Sequence, residues 1–258
     1  MILDERLGYA FLLLFVRTGA LLVATPVFGG FGIPARVRVG LGLMVAIALA
    51  PTLRPWIGTM PDDFLSFIGA MAKEAAIGLM IGSLLQVVLL AAQTAGQFID
   101  LQIGFAIMRL LNPPGGFPVS VLGQLKGYMA MTLFLVVNGH HLVFKSLAAS
   151  YYYTPAVGMA HLETMQAVVV DTTYRLFLLA LQIAAPAATV AFITDASLAA
   201  VSRAVPQVNV LIVGFPAKIL LGLLGVMVGM PVLLWGVRES LQLSSDAIAR
   251  LLLPTGGP

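Results

Sequence analysis

The 258-residue chain contains no cysteine. That excludes disulfides, thiolate metal sites and thiol nucleophiles. Charge is scarce as well: Asp, Glu, Lys and Arg make up 10% of the residues, against about 25% in ordinary soluble domains. With so few charges, the net charge of +3 reflects a small basic excess without a basic cluster. Nucleic acid is therefore not an expected partner. No stretch is long and polar enough to form a separate soluble domain, so residues 1–258 are read as one domain. Also missing are a Ser-His-Asp order, a His-Glu-x-x-His motif, a Gly-x-x-x-x-Gly-Lys loop and a dinucleotide fingerprint. An intramembrane enzyme is poorly supported, and no cofactor or metal is expected.

What the chain has is apolar length. Hydrophobic residues make up 60% of it. They gather into six stretches: Leu7–Phe31, Val37–Leu53, Phe64–Ile99, Val119–Ala149, Met165–Thr194 and Val208–Val237. A helix needs about 20 mostly apolar residues to cross a hydrocarbon core. Five stretches reach that length and the second is marginal. The predicted class is an all-α integral membrane protein, with lipid among its partners. Met1-Ile-Leu-Asp-Glu-Arg6 lacks the positive flank of a cleaved signal peptide, so a retained first helix is expected.

The stretches are interrupted at Gly and Pro rather than by long polar loops. Pro34 and Pro61 suit helix starts. Asp62 and Asp63 then fall near a positive helix end. The third stretch, as one helix, would be about 54 Å long, and Gly69, Gly78, Gly82 and Gly96 offer places to bend or break it. Gly78 and Gly82 are four apart, as are Gly225 and Gly229, a spacing that lets helix backbones approach closely in a membrane. Pro216 predicts a kink in the last stretch. Lys and Arg counts favour the first, third and fifth connections facing the cytoplasm. Residues 238–258 read as an amphipathic C-terminal tail that frays beyond its helix, with Asp246 and Arg250 four apart and able to pair.

Charge inside an apolar stretch is expensive. The candidates are Arg17, Lys73, Glu74, Lys126, Lys145, Asp171, Arg175 and Lys218. Asp171 and Arg175 have pairing distance in sequence, Lys73 and Glu74 lie near a segment start, and several of the others can snorkel. His140 and His141 are neighbours and point about 100° apart on a helix, which disfavours a shared metal; with His161, they are expected to close the end of the fourth stretch.

Two segments are more distinctive. From Gly104 to Pro118 the chain is apolar yet rich in Gly and Pro. Irregular backbone at membrane depth is tolerated only inside protein or along a water-filled cavity. Phe105, Ile107, Met108, Leu110, Leu111 and Phe117 are candidates for obstructing such a cavity, with an ordinary buried loop as the alternative. In the second segment, Pro206 ends the preceding helix or starts a turn, and Gln207 and Asn209 supply amides that can satisfy freed backbone groups.

These segments, with Pro26-Val-Phe-Gly-Gly-Phe-Gly-Ile-Pro-Ala-Arg-Val-Arg38 and Gln182-Ile-Ala-Ala-Pro186, resemble the R-subunit family of the flagellar type III export gate. The resemblance runs through residues 8–240 in order. Its strongest piece is Val205-Pro-Gln-Val-Asn-Val210 followed by Val213-Gly-Phe-Pro216. Injectisome subunits share the general pattern, but Val-Gly-Phe-Pro-Ala-Lys looks more flagellar. Gln97 and Asn112 stand where the family often has an acid.

The resemblance implies a subunit of the export apparatus in the bacterial inner membrane, at the flagellar basal body. It implies long, kinked helical hairpins, similar to a fusion of the P-type and Q-type subunits with which the R subunit assembles. Other export-apparatus membrane proteins and unfolded secreted proteins in transit are the further partners implied. The family's plug loop would correspond to Gly104–Pro118, and the turn at Pro206, Gln207 and Asn209 to a docking point for another export component. A secondary transporter or channel for a small solute is the rival class; it predicts two repeated halves, and no clear repeat is present.

Overall fold

The computed structural model describes residues 5–29, 33–53, 55, 57, 60–105, 120–153, 162–207 and 210–252. Among them every regular element is helical: α1 (Glu5–Ala24), the one-turn α2 (Pro26–Gly29), α3 (Ala35–Leu53), α4 (Phe64–Ile103), α5 (Val121–Val136), α6 (Gly139–Tyr153), α7 (Leu162–Ala204), α8 (Val210–Val228) and α9 (Met230–Leu252). Four helices are long and apolar enough to cross a membrane, or up to six if α5 with α6 and α8 with α9 each count as one span. The protein is an all-α membrane protein.

Local chemistry sets many boundaries. α3 starts directly after Pro34, whose carbonyl accepts from Val37 N at 3.0 Å. Asp63 caps α4: its Oδ2 accepts from Ser66 N at 3.0 Å, satisfying one of the orphan donors of the first turn. The fourth apolar stretch is divided at Asn138, which adopts φ 59°, a left-handed conformation that Asn tolerates. The last stretch bends by 51° where Gly229 separates α8 from α9. Pro216 lies within α8, whose helix continues past it to Val228. The third stretch differs from expectation. Helical hydrogen bonding continues from Phe64 to Ile103; Gly78, Gly82 and Gly96 serve as contact points without interrupting it, and Gly69 faces open space.

The chain divides into two compact units, neither contiguous in sequence. Unit 1 comprises Met1–Val87, Asn138–Thr172 and Leu241–Pro258; unit 2 comprises Val88–Val137 and Thr173–Ser240. Because α4, α7 and α9 each pass from one unit to the other, no linker composition marks a boundary.

In unit 1, α3 lays Gly42, Ala46 and Ala50 inward, and a Cβ on Gly42 would lie 3.6 Å from Phe15 and 3.8 Å from Leu22 of α1. α1 packs on α4 through Gly78 and Gly82, and Tyr9 meets Phe67 with ring centroids 6.1 Å apart. The end of α9 buries Ser244, Ala247, Ile248 and Leu252, spaced as one helix face. Ser244 Oγ donates to Leu84 O at 2.8 Å. α9 thus remains helical and packed to Leu252, and residues 253–258, where fraying was expected, lie outside the described residues. Arg250, expected beside Asp246, reaches Asp171 at 3.2 Å.

Unit 2 is built on small residues. Ala180, Ala184, Ala187 and Ala191 form a buried stripe along α7. Opposite them stand Gly225, whose Cβ would lie 2.9 Å from Ala187 Cα, and Gly236, whose Cβ would lie 2.6 Å from Ile183 Cδ1.

Candidate functional site

The glycines singled out by spacing differ in their surroundings. A Cβ on Gly78 would run into the backbone carbonyl of Arg17. One on Gly82 would lie 2.5 Å from Ala24 Cβ and 2.8 Å from Leu21 O. At Gly225 the neighbours are Ala187 Cα and Val190, whose Cβ lies at 3.2 Å. Gly229 has more room: its nearest neighbour is Gly225 O at 3.3 Å, followed by Pro186 Cβ at 3.5 Å.

Gly78 brings α1 and α4 together at a buried polar cluster. Arg17 sits 2% exposed on α1. Its Nε and Nη2 donate to Glu74 Oε2 and Oε1 at 2.5 and 2.9 Å, a two-point fork. Its Nη1 donates to Ser150 Oγ at 2.8 Å. Tyr151 OH donates to the same Glu74 at 3.0 Å, and the guanidinium stands 3.8 Å over the Tyr151 ring. Three helices are tied by one ion pair, and each charge is both paired and hydrogen-bonded, as burial requires. Glu74 is thus an interior residue, 9% exposed, and does not reach toward an interface from a segment start. The reason is the glycine contact one turn along α4, which draws α1 close.

The end of α4 leads toward the distinctive loop. Gly104 adopts φ +94° and ends the helix, and the ring of Phe215 lies 3.1 Å from where its Cβ would be. Phe105 is half-buried. The other candidate plug residues, Ile107, Met108, Leu110, Leu111 and Phe117, lie outside the described residues. Just before the loop, Asp100 is fully buried. Its Oδ2 accepts from Ser120 Oγ at 2.5 Å and its Oδ1 from Leu122 N at 3.2 Å. Ser120 Oγ in turn accepts from Gly123 N at 2.8 Å. The carboxylate therefore sits on the N-terminus of α5, where unsatisfied N–H groups and the helix dipole favour negative charge. Gly96 meets the backbone of Leu122 and Gly123 one turn earlier.

At the other distinctive segment, α7 ends at Ala204, and Pro206 and Gln207 form an exposed turn. Asn209 lies outside the described residues. Lys218 of α8 meets Asp195 of α7 at 2.8 Å, so this apolar-stretch charge finds its partner just beyond the fifth stretch, along the hairpin. Lys126 is 1% exposed on α5. The rings of His140 and His141 lie 4.4 Å apart, edge to face; His161 is outside the described residues. Among the described residues no group of three or more His, Asp or Glu side chains is placed to hold a metal ion.

Sequence reasoning identified Arg17 and Glu74 as unusual charges but did not pair them, and it did not single out Asp100. It missed Ser120, Ser150 and Tyr151. The signal for Ser120 was available: Ser at the head of an apolar helix is an N-cap residue.

Residues 9–243 match the family described as Bacterial export proteins, family 1. Flagellar biosynthetic protein FliR of Bacillus subtilis is 32% identical over 253 residues, covering 96% of each chain. FliR of Escherichia coli is 26% identical over 81% of this chain and 79% of its own. Yop proteins translocation protein T of Yersinia pestis is 29% identical over 84% of each. With that match running through both compact units and all six apolar stretches, the chain belongs to the bacterial export proteins of family 1, the family of the FliR proteins.

Proposed function

We propose that the chain is a structural and gating subunit of a flagellar type III export gate, and that it helps form the closed pore through which unfolded flagellar proteins leave the cell. The observation that carries this reading is the family match across residues 9–243. As a member of that family the chain is a membrane component of a type III export apparatus. The finer claims are ours: inner-membrane placement, assembly with P-type and Q-type subunits, and a role without catalysis or cofactor. The fusion-like architecture implied by the family resemblance makes α7 and α8 the Q-like hairpin. Its turn at Pro206, Gln207 and Asn209 is the proposed docking point for another export component.

Outward-facing side chains fit a subunit surrounded by lipid and other subunits. Phe64, Leu65, Phe192, Ile212 and Val228 are each at least 70% exposed in this chain alone. Apolar surface on that scale marks membrane or protein contact. In this reading Phe105, Ile107, Met108, Leu110, Leu111 and Phe117 make a deformable seal, in which Met adapts its shape readily. Such a constriction excludes ions by dewetting while yielding to a passing polypeptide. Arg109 is directed to a carboxylate or carbonyl groups, away from the seal.

The test deletes residues 107–111 and measures complex recovery and membrane permeability in the same strain. A tag on this chain should recover a hetero-oligomer containing two further kinds of small apolar subunit. The deletion should leave that complex intact and make cells leak ions. A monomer or symmetric homo-oligomer, from cells co-expressing the neighbouring export genes, overturns the assembly reading. An assembled complex with normal permeability overturns the seal.

A further inference from the structure

We propose that Asp100 and Ser120 form a latch that fixes both ends of the segment 104–119 to one point in unit 2. Asp100 is then a positioning residue for that segment. The 16 residues between Ile103 and Ser120 could span about 50 Å if extended. Their own length therefore does not bring the ends together, and holding the ends of a chain of that length at one point has an entropic cost. The latch offsets it with a carboxylate whose two oxygens are each engaged by the returning chain.

The chemistry of the latch requires an acid. Ser120 Oγ already accepts from Gly123 N, so its own hydrogen needs an acceptor, and Asp100 Oδ2 is that acceptor. An asparagine could keep one oxygen for Leu122 N, but it would turn an N–H group toward the hydroxyl. Either that N–H or the serine O–H would then lose its partner in a buried site. The geometry around the latch is equally restrictive. Gly96 admits the backbone of Leu122 and Gly123, Gly127 admits Gln93, and Gly222 admits Ile103. At the outgoing end, the positive φ of Gly104 directs the chain past the Phe215 ring. Both boundaries of the segment are thus held by unit 2 itself.

The functional consequence rests on the pore-sealing reading of the segment, and the experiment separates the two. Because the chain has no cysteine, Leu101→Cys with Val121→Cys places spin labels on two exposed positions beside the latch. Their separation is measured in the full chain within its membrane complex, alongside complex recovery and ion permeability. The parent should show one narrow distance. Asp100→Asn should lose it and make the membrane leak, at normal complex recovery. Ser120→Ala, the milder change, should lose part of it, and Ser120→Thr, which keeps the hydroxyl, should retain it. An unchanged narrow distance in Asp100→Asn and Ser120→Ala overturns the latch. If Asp100→Asn is not recovered, Ser120→Ala decides. Loss of assembly in both, with no leak and a normal Ser120→Thr, makes the pair a structural support only and also overturns the proposal. Loss of the narrow distance without a leak upholds the latch and overturns the sealing role of the segment.

Discussion

In unit 1 three helices meet at a buried ion pair beside close glycine contacts; in unit 2, α8 and α9 meet α7 at glycines. Arg17 and Glu74 require each other, because a membrane-type interior offers neither charge another solvent. Gly225 and Gly236 require nothing of their neighbours except absence: their contacts with α7 exist because no side chain intervenes. The first kind of contact is specified by chemistry, so a single deletion leaves an orphan. The second is specified by shape, so a single addition leaves a clash. Unit 2 does contain a buried, chemically specified contact, Asp100 with Ser120, and it stands beside the segment to which function is assigned.

The largest break in this comparison is expected at Glu74→Ala. It leaves a guanidinium buried without a counter-charge, a loss of about 3–5 kcal/mol. Complex yield and thermal stability in lipid should fall sharply. Arg17→Met combined with Glu74→Leu should recover most of the loss, since replacing both members of a buried pair by apolar residues is often neutral. A double variant as damaged as the single one would show that the charges themselves, and not merely their pairing, are needed.

Overpacking should come second. Gly82→Leu in unit 1 and Gly225→Leu in unit 2 each force a side chain into a space closed by another helix, at a cost of about 1–3 kcal/mol. Gly69→Leu in α4 is the internal control, because nothing lies within 4 Å of the Cβ it would add. Recovery of the complex should drop for the first two and change little for the third. Equal tolerance at all three positions would remove the distinction between clash-limited and open glycines.

Much of this architecture was legible because helix boundaries are local. Pro34, Asp63 and Pro206 mark ends that the structure places within a residue or two, and the apolar runs give the helices between them. Pairings were not legible. Arg17 and Glu74 are 57 residues apart, and nothing in the spacing of either said that the other was its partner. The Gly78–Gly82 spacing indicated close approach but did not name α1 as the helix approaching. Gly229 is a different case: the sequence marked it as a packing glycine, and the structure also bends there, by 51° between α8 and α9. Most of the proposed seal lies outside the described residues, so its basis remains the composition of the segment and the family match.

The smallest expected effect concerns Lys218 and Asp195, and it sharpens the comparison from outside the core. Their side chains are 19% and 48% exposed, so this pair belongs to neither the buried-charge nor the glycine type. In water such a pair is worth about 0.2–1 kcal/mol and weakens with salt. Here its neighbours along the hairpin include Phe192, Ile193 and Leu221, all outward-facing. If that face meets lipid or an apolar subunit, salt ions do not reach the pair. A double-mutant cycle with Lys218→Met and Asp195→Leu, read from the thermal stability of the complex in lipid, should give a coupling of about 1 kcal/mol. That coupling should stay the same from low to high salt. A coupling that vanishes at high salt would place this face of the hairpin in water, and would argue against α7 and α8 presenting it to membrane or to another subunit.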